Sequence, residues 1–154
     1  MAMSDTQNTD LPPALAEIVE DFNALPIPER LQLLLQFAEE LPSLPERYAD
    51  HPELMEPVPE CQSPIFLVTE VDDAEPGGVV HLFFSAPKES PTTRGFAGIL
   101  QEGLEGLTPQ QVLAVPDDLP NRLALAEAVS LLRLRGMSGM LGRIKRQVRE
   151  KAAA

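Results

Sequence analysis

The chain contains a single cysteine, Cys61, in 154 residues. One thiol cannot close an internal disulfide, so nothing here calls for an oxidising compartment. Nor can it make a zinc or iron–sulfur site alone, because such sites want several Cys or His ligands at short spacing. The only imidazoles are His51 and His81, and no paired motif connects them to the cysteine. Long apolar runs are also missing, and none reaches the roughly 18 residues of a membrane span. Met1 to Asp10 is polar and acidic, without the basic and apolar halves of a signal peptide. A cytoplasmic location and no membrane partner are the expectations that follow. Positive charge is scarce through most of the chain. Before position 133 the basic residues are Arg30, Arg47, Lys88, Arg94 and Arg122, against a formal net charge of −12. Such an acidic body excludes general nucleic-acid binding, which needs a concentrated basic surface.

What is present suits a folded, soluble protein: 44% hydrophobic and 23% charged residues, at a length that fits one domain. Residues 1–9 are expected to be a disordered N-terminus, being polar with little to bury, and residues 10–154 a single domain. Leu15, Ile18, Val19 and Phe22 recur at helical spacing and predict a first helix over about Pro12 to Asn23. A second runs from about Pro28 to Glu40, with Leu31, Leu34, Leu35, Ala38 and Leu41 on its apolar face. Pro42 and Pro45 stop it.

Tyr48 to Pro64 has another character, with Pro52, Pro57, Pro59 and Pro64 among acids and isolated apolar residues. Fixed proline torsions and missing donors predict a stiff extended loop, with a short edge strand near Met55 to Val58. Ile65 to Val71 and Val79 to Ser85 are β-branched and aromatic runs separated by turn residues, hence a hairpin. Their weak polar alternation predicts helices over much of both faces. Further helices are expected over about Thr92 to Glu105, from the Thr108-Pro109-Gln110-Gln111 capping box, and through Leu125, Val129 and Leu132. A last helix carries the stripe Met137, Met140, Leu141, Ile144 and Val148, where the methionines read as core filler. Its basic residues, Arg133 to Lys151, suit a helix C-terminus and a solvated outer face, with a docking surface as the alternative reading. One hairpin without βαβ alternation gives an α+β class: a small antiparallel sheet of two to three strands packed with several helices.

Cys61 is the residue through which chemistry would enter. Lone cysteines are commonly small buried apolar residues, yet this one lies in a proline-constrained polar loop just before a strand. A cysteine hydrolase would pair it with a base, and His51 or His81 would have to serve. Gly77-Gly78 belongs to the hairpin turn, and Gly95 and Gly98 read as points of close helix packing rather than a phosphate loop.

Four segments carry a family resemblance. Leu41-Pro42-Ser43-Leu44-Pro45, Glu60-Cys61-Gln62-Ser63-Pro64-Ile65-Phe66-Leu67, Arg94-Gly95-Phe96-Ala97-Gly98-Ile99-Leu100 and Arg133-Leu134-Arg135-Gly136-Met137-Ser138-Gly139-Met140-Leu141 occur in this order. Together they resemble the SufE family of cysteine desulfuration proteins, from about Leu11 to Lys151. The resemblance implies a fold shared with IscU-type scaffold proteins. It implies a sulfur acceptor that takes persulfide sulfur from a SufS-type cysteine desulfurase and delivers it to a SufBCD-type assembly complex for iron–sulfur clusters. The resemblance also implies that the chain works with a desulfurase rather than as a self-contained enzyme. It binds no cofactor itself, and pyridoxal phosphate belongs to the partner.

By position, Cys61 matches the persulfide-forming cysteine. Arg133 matches an arginine near the cysteine loop, a thiolate or loop partner, and Glu89 stands where the family usually has an aspartate. Some positions depart from the pattern. Glu60 replaces the glycine that usually precedes the cysteine, and a negative neighbour disfavours the thiolate. Phe66 stands at a tryptophan position, and Leu132-Arg133-Leu134 replaces Ser-Arg-Ser. Two other readings stay open: a regulator that binds the desulfurase without carrying sulfur, and a thiol-dependent enzyme acting on a small molecule. Homodimerisation is left open too.

Overall fold

The computed structural model describes residues 10–73 and 77–153. The expected disordered segment 1–9 lies outside the described residues. Helices α1 (Pro13–Ala24) and α2 (Ile27–Glu40) come first, followed by the one-turn helix α3 (Glu46–Ala49). The edge strand β1 (Glu56–Pro57) then precedes the hairpin strands β2 (Phe66–Val71) and β3 (Val80–Ser85). Helix α4 (Pro91–Leu104), the short helices α5 (Pro109–Leu113) and α6 (Leu119–Arg122), and the long α7 (Leu131–Ala153) complete the order. The sheet runs β1-β2-β3, antiparallel throughout, with Glu56 opposite Leu67 and Phe66 opposite Ser85. This is the α+β arrangement expected from the sequence.

Strand residues alternate between two unequal faces, as a period of two requires. Val80, Leu82 and Phe84 of β3 and Leu67 of β2 enter the main core with Phe22, Phe96, Ile99 and Met137. That core reaches from Leu11 to Val148. Phe66, Val68 and Phe83 point the other way and form a small cluster with Leu44, Tyr48 and Met55. The second face is therefore covered by the proline-rich segment and its single helical turn. Helices do not cover both faces, as the weak polar alternation suggested.

Helix α2 lies very close to α4. A methyl on Gly95 would sit 2.6 Å from the Leu34 carbonyl oxygen, and one on Gly98 would overlap the Phe37 carbonyl. The two glycines allow this approach, as their spacing predicted. Arg94 donates to the Ala38 carbonyl at 2.8 Å and to the Ala86 carbonyl, binding the end of α2 to the end of β3.

Three further expectations are corrected. Leu31 and Leu35 are 37% and 42% exposed, whereas Leu34, Phe37 and Ala38 face the core, so the buried stripe of α2 is rotated from the expected one. No helix runs through Leu125, Val129 and Leu132: α6 ends at Arg122, and Ala124 adopts φ 56°, a left-handed conformation that interrupts helical propagation. Leu125 is still fully buried, but from a turn, and Leu132 is 48% exposed. Finally, the prolines of the 48–64 segment do not keep it extended. Pro52 and Pro59 each open a single 3-10 turn, Pro52–Leu54 and Pro59–Cys61, where a missing N–H costs nothing. The capping box at Thr108 is formed as predicted, with Gln111 N–H donating to Thr108 Oγ1 at 3.2 Å and the Thr108 N–H to Gln111 Oε1 at 3.0 Å.

Candidate functional site

Cys61 closes the 3-10 turn Pro59–Cys61. Both ends of this turn are anchored. Val58 and Ile65 are each 1% exposed, and the Val58 N–H donates to the Ile65 carbonyl at 2.9 Å. Between these anchors, Gln62 adopts φ 62°, a left-handed conformation that costs a non-glycine residue about 1 kcal/mol. The Ser90 hydroxyl donates to Ser63 Oγ at 2.9 Å, tying the far side of the loop to the segment before α4.

The turn rests on α7 through two glycines. A methyl on Gly136 would lie 3.0 Å from Cys61 Sγ, and one on Gly139 would lie 2.9 Å from Glu60 Cδ. The Cys61 thiol donates to the Gly136 carbonyl at 3.6 Å, a long contact even for sulfur. Cys61 is half-buried against the main core. Next to it, Arg143 reaches Glu60 Oε1 at 2.9 Å and approaches Glu56 Oε2 to 3.3 Å through Nε. That Nε is buried and makes no hydrogen bond, since the approach to Glu56 is an ion pair without good hydrogen-bond alignment. Glu56 also pairs with Arg146 and accepts from Gln147 Nε2 at 2.9 Å. Gln147 in turn accepts from the Thr69 amide and hydroxyl at 2.8 and 3.1 Å. One polar chain thus links β2, the edge strand, α7 and the residue before the cysteine.

This setting stabilises the neutral thiol. Burial pushes the Cys61 thiol up to about 11, the Glu60 carboxylate adds to the rise, and Arg143 opposes it. Arg143 holds the Glu60 carboxyl below its ordinary value, so the negative neighbour is ionised at neutral pH. Glu60, Arg143 and Gly139 also line an open cleft of about 580 Å³ with Glu56, Arg135 and Ser138.

The remaining candidates lie at varying distances from this arrangement. Arg133 is exposed on α7, one turn before Gly136, and its side chain makes no hydrogen bond or ion pair among the described residues. Glu89 is exposed in the turn before α4, adjacent to Ser90. Neither imidazole acts on the thiol. His51 faces Glu53 at 3.1 Å, and His81 lies between Asp72 and Glu105 at 2.8 and 2.5 Å. No hydrogen bond among the described residues joins Cys61 to either histidine, the pairing a thiol-dependent enzyme would use. Among the described residues no group of three or more His, Cys, Asp or Glu side chains could hold a metal ion.

Residues 16–148 match the SufE family, described as an Fe-S metabolism associated domain. The chain belongs to the SufE family. It is 54% identical over 145 residues to an uncharacterized SufE-like protein of Mycobacterium tuberculosis, covering 94% of this chain and 98% of that protein. It is 26% identical over 144 residues to the cysteine desulfuration protein SufE of Plasmodium vivax, covering 92% of this chain and 55% of the larger protein. Among solved structures it is similar to a hypothetical protein from Thermus thermophilus. That likeness has a TM-score of 0.80 and 40% identity over 94% of this chain and 99% of the other. Within this SufE fold, three residues of α7 take part in the site without having stood out as candidates in the sequence. Arg143 is one, and Gly136 and Gly139 are the others. Their spacing of three and four residues along α7 was the available signal, because it places all three on one helix face.

Proposed function

We propose that this chain is a persulfide carrier, accepting sulfur on Cys61 from a cysteine desulfurase and passing it toward iron–sulfur cluster assembly. Family membership and the name of the Plasmodium vivax relative support a role in moving cysteine sulfur. The observation that carries the reading is the placement of the chain's one thiol. It sits on a turn pinned at both ends whose middle rests on α7 by a weak sulfur contact and an ion pair.

Sulfur transfer then proceeds without an external oxidant. The Cys61 thiolate attacks the outer sulfur of the donor's persulfide, the S–S bond of the donor breaks, and the inner sulfur leaves as the donor's thiolate. The new S–S bond is that of the Cys61 persulfide. At rest, a thiol near 11 is ionised in only about one chain in 10,000 at pH 7. Docking must therefore move Cys61 away from the apolar wall and from Glu60, or bring a cation to it. Arg143 already favours the thiolate, and the exposed Arg133 can be carried toward the sulfur by a bound partner. Glu89 acts indirectly, on the segment whose Ser90 holds Ser63. A SufS-type desulfurase with its own pyridoxal phosphate supplies the sulfur, and a SufBCD-type complex receives it.

Intact mass spectrometry after incubation with the organism's cysteine desulfurase and free cysteine tests the reading. One or more sulfur atoms should be added and then removed by a thiol reductant. Cys61→Ser should abolish the addition while leaving the unfolding midpoint nearly unchanged. An unmodified wild-type mass beside a desulfurase that turns over, or equal loading of the Ser variant, rejects the proposal.

A further inference from the structure

Leu131 is 67% exposed and Leu132 is 48% exposed, at the very start of the long helix α7. Leu132 stands four residues before Gly136, on the helix face that meets the cysteine turn. Two arginines adjoin the leucines. Arg133 and Arg135 are exposed and make no side-chain hydrogen bond or ion pair among the described residues, in a chain of net charge −12. They differ in this from Arg143, Lys145 and Arg146 of the same helix, each of which is paired with a carboxylate. Arg135 also lines the cleft that contains Glu60 and Arg143, so the patch runs up to the sulfur site.

We infer that the first turn of α7 is the docking surface for the sulfur donor, and that the donor presents an apolar centre rimmed by acidic side chains. This inference rests on the persulfide-carrier reading. A donor persulfide must come within bonding distance of Cys61 Sγ, and Gly136 holds that sulfur against α7. An enzyme that meets Cys61 where it rests, against Gly136, approaches over the turn that precedes Gly136. Leucines left in water at that place gain by being covered. Unpaired guanidinium groups draw an acidic surface to an otherwise acidic molecule, chiefly by raising the rate of encounter.

Binding is measured with Cys61→Ser protein, so that sulfur loading plays no part, against the cysteine desulfurase of the same organism. Leu131→Asp with Leu132→Asp should weaken the Kd about tenfold or more. Arg135→Glu should weaken it about threefold at low ionic strength, with little effect in half-molar salt. Alkylation of Cys61 by a small reagent, measured in the double leucine variant built on the wild-type cysteine, should be unchanged. The leucines are exposed, so folding is expected to survive. Should the double variant misfold, Arg135→Glu decides the outcome alone. A Kd unchanged within twofold overturns the inference. So does absence of binding by the unsubstituted chain, or loss of a homodimer rather than of the donor complex. Loss of binding confined to a downstream acceptor overturns it as well. Sulfur loading is judged separately by mass, so failure of this docking surface is told apart from failure of the carrier reading.

Discussion

Two glycine pairs of equal spacing serve opposite ends in this molecule. Gly95 and Gly98 let α4 press against the backbone of α2 at Leu34 and Phe37, where both glycines are buried among aliphatic and aromatic side chains. Gly136 and Gly139 let a single 3-10 turn press against α7 at Cys61 and Glu60, where the contact is half-exposed and held by Arg143. The first contact is backbone on backbone and cannot yield without separating two helices. The second meets the Cys61 and Glu60 side chains and, of the backbone, only Cys61 Cα at 3.2 Å, so a single turn and not a whole helix has to give way. A small residue at a close approach therefore does not by itself mean rigidity. What it meets, and how deeply the contact is buried, decide that.

Adding a methyl to each pair should separate the two cases. Gly98→Ala forces the new carbon onto a backbone carbonyl and should cost roughly 3 kcal/mol, read from urea unfolding, with folded protein keeping its normal Cys61 alkylation rate. Gly136→Ala should cost about 1 kcal/mol, because the turn yields, while alkylation of the displaced thiol rises about fivefold. Equal stability losses in the two variants would erase the contrast. Next in size, Glu60→Gln removes one cause of the raised thiol value. Its titration midpoint, followed by thiolate absorbance, should fall below about 11, with alkylation at pH 8 rising about threefold. An unchanged midpoint would mean that burial alone sets it.

The smallest effect concerns a region far from the sulfur. Asp72 and Glu105 raise the His81 value above 6.5. The folded state therefore prefers protonated His81. The stability this contributes is complete below pH 6.5 and is lost as pH rises through the higher folded value. The groups are partly exposed, so the loss should be about 1 kcal/mol or less. It should appear as a small decline in Tm as pH rises above 6.5, and His81→Gln should remove the decline.

The fold was legible in the sequence where local pattern and tertiary packing agreed. The α7 stripe of Met137, Met140, Leu141, Ile144 and Val148 is buried as its period demanded, and the Thr108 box closes as written. It was illegible where a single backbone torsion decided the outcome. The apolar spacing of Leu125, Val129 and Leu132 is helical, but Ala124 turns left-handed, a conformation its residue type does not announce. On the site side, the negative influence of Glu60 on the thiol was readable from adjacency alone. Arg143 was not, because it lies 83 residues from Glu60 and its charge reads equally well as part of a solvated helix end. Long-range ion pairs leave no periodic trace.

The half-buried thiol has a further consequence for the idle protein. Peroxide attack and alkylation both proceed through the ionised, accessible form of cysteine. With its thiol pushed up to about 11, the isolated chain keeps that form to a trace at neutral pH, so Cys61 should outlast an oxidative episode that inactivates more acidic thiols. Under the proposed carrier role, reactivity is conferred by whichever surface lifts the turn, and until then chemical reticence works as storage.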